Sequence, residues 1–113
     1  MKATLLRGEI WTATGPGDYA GKPRPVVIIQ HDNFAVLDSV TICGLTTDPT
    51  DLPLFRVVIE PSQDNGLESS SRIMIDKILT TRKSRLGRRI GRLDDTDTLR
   101  LNRAIATFLG LAS

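Results

Sequence analysis

Short β-branched runs, spaced too closely for parallel crossovers, constrain this chain more than any other feature. Val26-Val27-Ile28-Ile29 is continuous, as expected of a strand buried on both faces. Arg56-Val57-Val58-Ile59 is a second run of the same kind. Glu9 to Thr14 alternates around Ile10 and Trp11, and Val40 to Thr47 reads as a strand that ends in hydroxyls. Arg72 to Leu79 reads as a further strand, and Gly87 and Gly91 bracket a short basic one, Arg88 to Arg92. Between them lie turn signals. Gly15 to Gly21 is a loop by composition, and Asp64-Asn65-Gly66 is a strong turn. Parallel neighbours need a crossover of about a dozen residues or more, usually helical, which these connections do not supply. An antiparallel sheet or small barrel follows.

Only the end changes period. Asp94 or Asp95 can cap a helix, and Asp97 suits its positive first turn. Leu101, Ala104, Ile105 and Phe108 then recur on one helical face, and Gly110 is a natural stop. The expected class is mainly β (α+β), with a C-terminal helix. With 113 residues and no linker, repeat or low-complexity stretch, residues 1–113 read as one domain.

Several function classes lack the residues they need. Cys43 is the only cysteine, so the chain can form neither an internal disulfide nor a thiolate metal cluster. His31 stands alone in a loop, the usual setting of an ordinary surface histidine. There is no nucleophile elbow, no phosphate-binding Gly-Lys loop and no paired-histidine zinc motif. The first residues are charged too soon for a signal peptide, and no apolar run approaches membrane-spanning length. A soluble cytoplasmic protein without metal or cofactor is expected.

Net charge is only +2, which alone does not imply nucleic acid. The distribution says more. Arg82, Lys83, Arg85, Arg88, Arg89 and Arg92 form a stretch interrupted by no acid. Such a stretch steers a polyanion or forms a solvated face.

Lys22-Pro23-Arg24-Pro25 holds the best-placed cation. Pro25 drives Arg24 towards extended angles, and Pro23 has its own φ fixed. The guanidinium therefore leaves from a stiff point at a strand's start. Its planar fork suits a phosphate, and equally a structural carboxylate. Thr46 and Thr47, at the end of another strand, suit either backbone satisfaction or substrate binding. Asp76, between Ile75 and Lys77, must be paired, solvated at an edge or functional. Tyr19 could stack on a base or cover the core.

Taken in order, these pieces resemble the MazF/PemK/Kid family of toxin–antitoxin endoribonucleases. Arg7-Gly8-Glu9-Ile10-Trp11 is similar to its opening strand, Lys22 to Ile29 to its proline-flanked arginine strand, and Leu45-Thr46-Thr47 to the strand end carrying Thr or Ser. Ile73 to Ile78 is similar to its Asp-containing strand, and Leu86-Gly87 with the closing helix completes the set. The resemblance implies a small SH3-like antiparallel barrel of the CcdB/Kid type, assembled as a homodimer. It implies metal-independent cleavage of single-stranded RNA, with attack by the substrate's own 2′-hydroxyl. Products would be a 2′,3′-cyclic phosphate and a 5′-hydroxyl. Arg24 and Thr46 match the family's catalytic pair. Tyr19, Lys22, Thr47, Asp76 and Lys77 fall where RNA contacts are expected, and the expected partner is an acidic antitoxin. Two departures stand out. The stretch from Asp18 to Pro23 lacks a histidine that some members carry, and Met74 occupies a position where some carry arginine. The proton acceptor for the 2′-hydroxyl is therefore open, with Asp76 one candidate. The same fold also hosts a gyrase-poisoning toxin that cuts no nucleic acid, and an inactive SH3-like binding module is a third reading.

Overall fold

The computed structural model describes residues 4–15 and 22–112. Six strands run in chain order: β1 (Glu9–Ala13), β2 (Arg24–Ile28), β3 (Ser39–Thr46), β4 (Arg56–Ile59), β5 (Ser71–Arg82) and β6 (Leu86–Arg92). One helix, α1 (Asp95–Phe108), follows. All strand pairs are antiparallel, in the order β4-β5-β3-β2-β1-β6. The expected loop from Gly15 to Gly21, with Tyr19, lies outside the described residues apart from Gly15.

The β2 run is buried on both faces, as its unbroken β-branched stretch predicts. Val27 joins the main core with Ile10, Cys43, Leu45, Ile73 and Ile75. Val26 and Ile28 join a second cluster with Trp11, Val40 and Ile42 on the other side. The similar-looking run in β4 behaves differently. Val57 and Ile59 are buried and Val58 is not, because β4 is an edge strand with β5 as its only strand partner. Helix α1 packs Leu101 into the main core beside Leu93.

Two strands differ from their sequence reading. β5 is longer than Arg72 to Leu79, and its pairing with β3 is interrupted. Residues 74–77 lie opposite Gly44 alone, between the pairs Leu45↔Ile73 and Cys43↔Ile78. The interruption reverses which residues face inward, so Ile75 and Ile78 both reach the main core. β6 begins at Leu86, two residues before the expected start.

The sheet closes on itself through the β4–β5 connection. Arg92 N–H donates to the Asp64 carbonyl at 2.9 Å, and the Asp64-Asn65-Gly66 turn lies directly on β6. A Cβ at Gly91 would stand 2.3 Å from the Asn65 carbonyl, and one at Gly66 would stand 2.0 Å from the Ile90 carbonyl oxygen. Gly66 also has φ +68°, which a side chain disfavours. Asn65 is buried with its amide satisfied. Nδ2 donates to the Glu60 carbonyl, and Oδ1 accepts from the Ser62 and Leu67 N–H groups.

Candidate functional site

Arg24 opens β2, between a proline that precedes the strand and Pro25 within it. Val26↔Gly44 is the last pair of the β2–β3 ladder, and beyond it Arg24 and Thr46 line one recess. Thr46 is in turn the partner of Arg72 on β5. Leu45 and Ile73 point into the main core, so their neighbours Thr46 and Arg72 take the opposite face. Val26 and Ile28 point to that same face, and Arg24 shares it. Three adjacent strands thus present arginine, threonine and arginine in a row.

A recess of about 150 Å³ lies on this face, lined by Arg24, Pro25, Gly44, Thr46, Thr47 and Met74 among others. Gly44 leaves room for Met74, whose Cε would stand 2.8 Å from a Cβ there. The Thr46 hydroxyl accepts from the Asp48 N–H at 3.1 Å. That contact fixes the oxygen and leaves its own O–H as a donor. Asp48 is itself fixed. Its carboxylate accepts from the N–H and hydroxyl of Thr50, at 2.9 and 2.7 Å. These bonds, with smaller contributions from the Arg56 and Arg72 charges, hold its pKa below the usual value.

The remaining candidate residues fall in different places. Lys22 and Thr47 are exposed beside the recess strands. Asp76 and Lys77 sit in the interrupted stretch of β5. Of the three readings open for Asp76, the structure displays pairing. Its two oxygens accept from Arg56 Nε and Nη2 at 2.9 and 3.2 Å. The hydrogen bonds to Arg56 lower the Asp76 pKa and make it a weak proton acceptor. His31 caps a short 3-10 turn, its Nδ1 accepting from the Asn33 N–H at 3.1 Å. Cys43 is fully buried. Burial, then the nearby Asp76 charge, pushes its thiol up to about 12, against a smaller opposing effect of Arg7.

Sequence reasoning passed over Arg72. The signal was present: with Ile73 and Ile75 inward, Arg72 and Met74 must share the outward face with Asp76. It also passed over a larger cavity, about 750 Å³, whose lining includes Leu5, Trp11, Leu37 and Leu86 with Asp38, Arg82 and Lys83. That cavity is the larger but carries neither Arg24 nor Thr46, so its size does not locate the chemistry. Among the described residues, no three His, Cys, Asp or Glu side chains converge as metal ligands.

Comparison with known proteins supplies an independent line. The family described as PemK-like, MazF-like toxin of type II toxin–antitoxin system matches residues 6–109. A protein of Mycolicibacterium smegmatis, named probable endoribonuclease MazF, is 51% identical over 108 residues, covering 96% of this chain and 99% of that one. A solved mycobacterial endoribonuclease in complex with its cognate antitoxin superposes with a TM-score of 0.78 at 26% identity, covering 99% of both chains. The Mycobacterium tuberculosis toxin MazF-mt6 superposes with a TM-score of 0.78 at 27% identity, covering 93% of this chain and 99% of that one.

Proposed function

The chain belongs to the PemK-like, MazF-like toxin family of type II toxin–antitoxin systems, and from that premise we propose that it is an endoribonuclease acting at Arg24 and Thr46. The observation that carries the site assignment is the cross-strand placement of these two residues on one recess. The substrate is single-stranded RNA. Its 2′-oxygen attacks the adjacent phosphorus as the bond to the 5′-oxygen breaks, leaving a 2′,3′-cyclic phosphate and a 5′-hydroxyl. One proton leaves the 2′-hydroxyl and one arrives at the 5′-oxygen, so no water is consumed.

Each residue has a role that its setting supports. Arg24 offers the planar fork of its guanidinium to the phosphoryl oxygens as negative charge builds. A guanidinium has donors and no acceptor, so Arg24 is not the group that takes the 2′-hydroxyl proton. Thr46 donates its hydroxyl proton to a phosphoryl oxygen while the Asp48 N–H holds the oxygen in place. Arg56 holds both oxygens of Asp76, which weakens this carboxylate as an acceptor of the 2′-hydroxyl proton. Tyr19, Lys22, Thr47, Asp76 and Lys77 are the residues assigned to the flanking nucleotides.

The partners follow the same reading. An acidic antitoxin segment suits the cavity at Trp11, whose lining carries Arg82 and Lys83 against the single acid Asp38. The small core favours a homodimer, which adds burial. No helix among the described residues is long and apolar enough to cross a membrane. Cytoplasmic residence fits an RNA substrate. The gyrase-poisoning alternative yields to the nuclease reading because the 51%-identical relative is named a probable endoribonuclease and a superposing mycobacterial structure an endoribonuclease.

The purified protein should cut a long mixed-sequence RNA in EDTA, and mass spectrometry of the ends should find 2′,3′-cyclic phosphate. Arg24→Ala should lower cutting by about 10²–10³-fold, the usual cost of losing a transition-state charge donor, with the circular dichroism spectrum unchanged. Normal cutting by Arg24→Ala would sink the assignment.

A further inference from the structure

We propose that Arg72 is a second RNA-phosphate-binding residue, placed across Thr46 from Arg24; this rests on the nuclease reading and extends its site by one cation.

The register makes the placement. Arg72 and Thr46 are Cα partners on neighbouring strands, so their side chains leave the sheet side by side. Arg24 is on β2, the strand on the other side of β3, and lines one recess with Thr46. With strands roughly 4.8 Å apart, the two arginines start about 10 Å from each other with the threonine hydroxyl between them. Side chains of that length can reach neighbouring phosphates of one strand. A polyanion crossing β2, β3 and β5 would meet Arg24, Thr46 and Arg72 in turn.

The hydrogen bonding of Arg72 leaves it capacity. Its Nη1 donates to the Asp48 carbonyl at a long 3.4 Å. Its Nε is buried without a hydrogen-bond partner. No carboxylate among the described residues forms an ion pair with it. Other arginines nearby are committed: Arg56 to both oxygens of Asp76, and Arg100 to Asp97 and the Val58 carbonyl. A guanidinium has five donors, so most of those on Arg72 lack a protein acceptor. The neighbouring Asp48 carboxylate, bonded by Thr50 through one oxygen, feels the Arg72 charge but forms no direct ion pair with it. The structural alternative is that Arg72 only braces the Thr46–Asp48 turn through the Asp48 carbonyl.

Binding of a non-cleavable strand distinguishes the two. The probe is a fluorescent, mixed-sequence RNA with a 2′-O-methyl group on every nucleotide, titrated by anisotropy at several salt concentrations. Arg72→Gln should weaken binding roughly tenfold and lower the slope of log Kd against log salt by about 0.7, the value of one phosphate contact on a single strand. Arg72→Lys should keep the slope, since it keeps the charge. On the wild type, the strand should protect Arg72 from phenylglyoxal, read by peptide mass spectrometry, which needs no variant to fold. An unchanged slope for Arg72→Gln, with or without a lower melting temperature, would show a brace only and overturn the proposal, as would labelling of Arg72 unaffected by RNA. If the wild type neither binds this strand nor cuts RNA, the nuclease reading itself fails and takes this inference with it.

Discussion

Asp76 carries its charge in a strand that otherwise buries isoleucines, and the fork of Arg56 meets it with two hydrogen bonds. The sequence limited this residue to pairing, solvation or function but could not choose. Its partner lies on another strand, and the Arg56↔Met74 register is what brings the two together. The sign of the pH dependence follows from the lowered pKa. An Asp depressed by its partner contributes stability that is fully present above its unfolded value, about 3.9, and is lost as pH falls through the folded value. Asp76→Asn should therefore cost about 1 kcal/mol at pH 7, as for a partly buried ion pair with good geometry, and progressively less below about pH 4. Thermal melts of wild type and variant from pH 2 to 7 check this; a constant gap across that range contradicts it. Thr46 belongs to the same scale. Thr46→Val keeps the shape and removes the donor, and should lower cutting at least tenfold. Its melting temperature should change little, because the Asp48 N–H it releases is on an exposed residue and can turn to water.

Helix α1 is the element most legible in the sequence, because period, cap and stop agree. The structure puts Asp94 at the N-cap, where its side chain accepts from the Asp97 N–H at 2.7 Å, and Gly110 beyond the end with φ +76°. Asp94→Ala should cost about 1 kcal/mol by chemical denaturation, the usual value of a lost cap. Phe108 was expected on the buried face but is 46% exposed, since Leu101 alone of that face is fully buried. The strand runs were equally legible, while their irregularities were not. Nothing in Arg72 to Leu79 announces that residues 74–77 face a single glycine, because that depends on how β4 and β3 compete for β5. Gly91 shows the same limit. Composition marked it as a strand boundary, yet its requirement comes from the turn at Asn65 pressed against it. Gly91→Ala forces a backbone shift at this closure and should destabilise by about 1–3 kcal/mol, as overpacking of a tight contact does. An unchanged denaturation midpoint would show that the closure yields without cost.

At the scale of the whole molecule, the strand order is what assembles the site and also what isolates the thiol. Arg24, Thr46 and Arg72 are distant in sequence and adjacent only because β2, β3 and β5 are neighbours in the sheet. Pattern and periodicity found the strands but could not order them. Proposing Arg24 and Thr46 as the site therefore needed the family resemblance, and proposing Arg72 waited for the register. The same order puts Cys43 on β3, hydrogen-bonded between β2 and β5, with β1 and β6 beyond one neighbour and β4 beyond the other. Fraying of an edge strand leaves it covered. Its thiol is fully buried and raised to about 12, so at pH 8 the folded protein offers almost none of the thiolate that thiol reagents need. Labelling must then proceed through openings that take the central sheet apart, and its rate should follow the global unfolding equilibrium. In native buffer at pH 8, Cys43 should react with an aromatic disulfide many orders of magnitude more slowly than in denaturant. Gly91→Ala, which acts where β6 meets the Asn65 turn, should speed labelling about tenfold for each 1.4 kcal/mol of stability it removes. Equal labelling rates for wild type and Gly91→Ala, despite a measured loss of stability, would mean that β3 opens locally and that the sheet is not one cooperative unit.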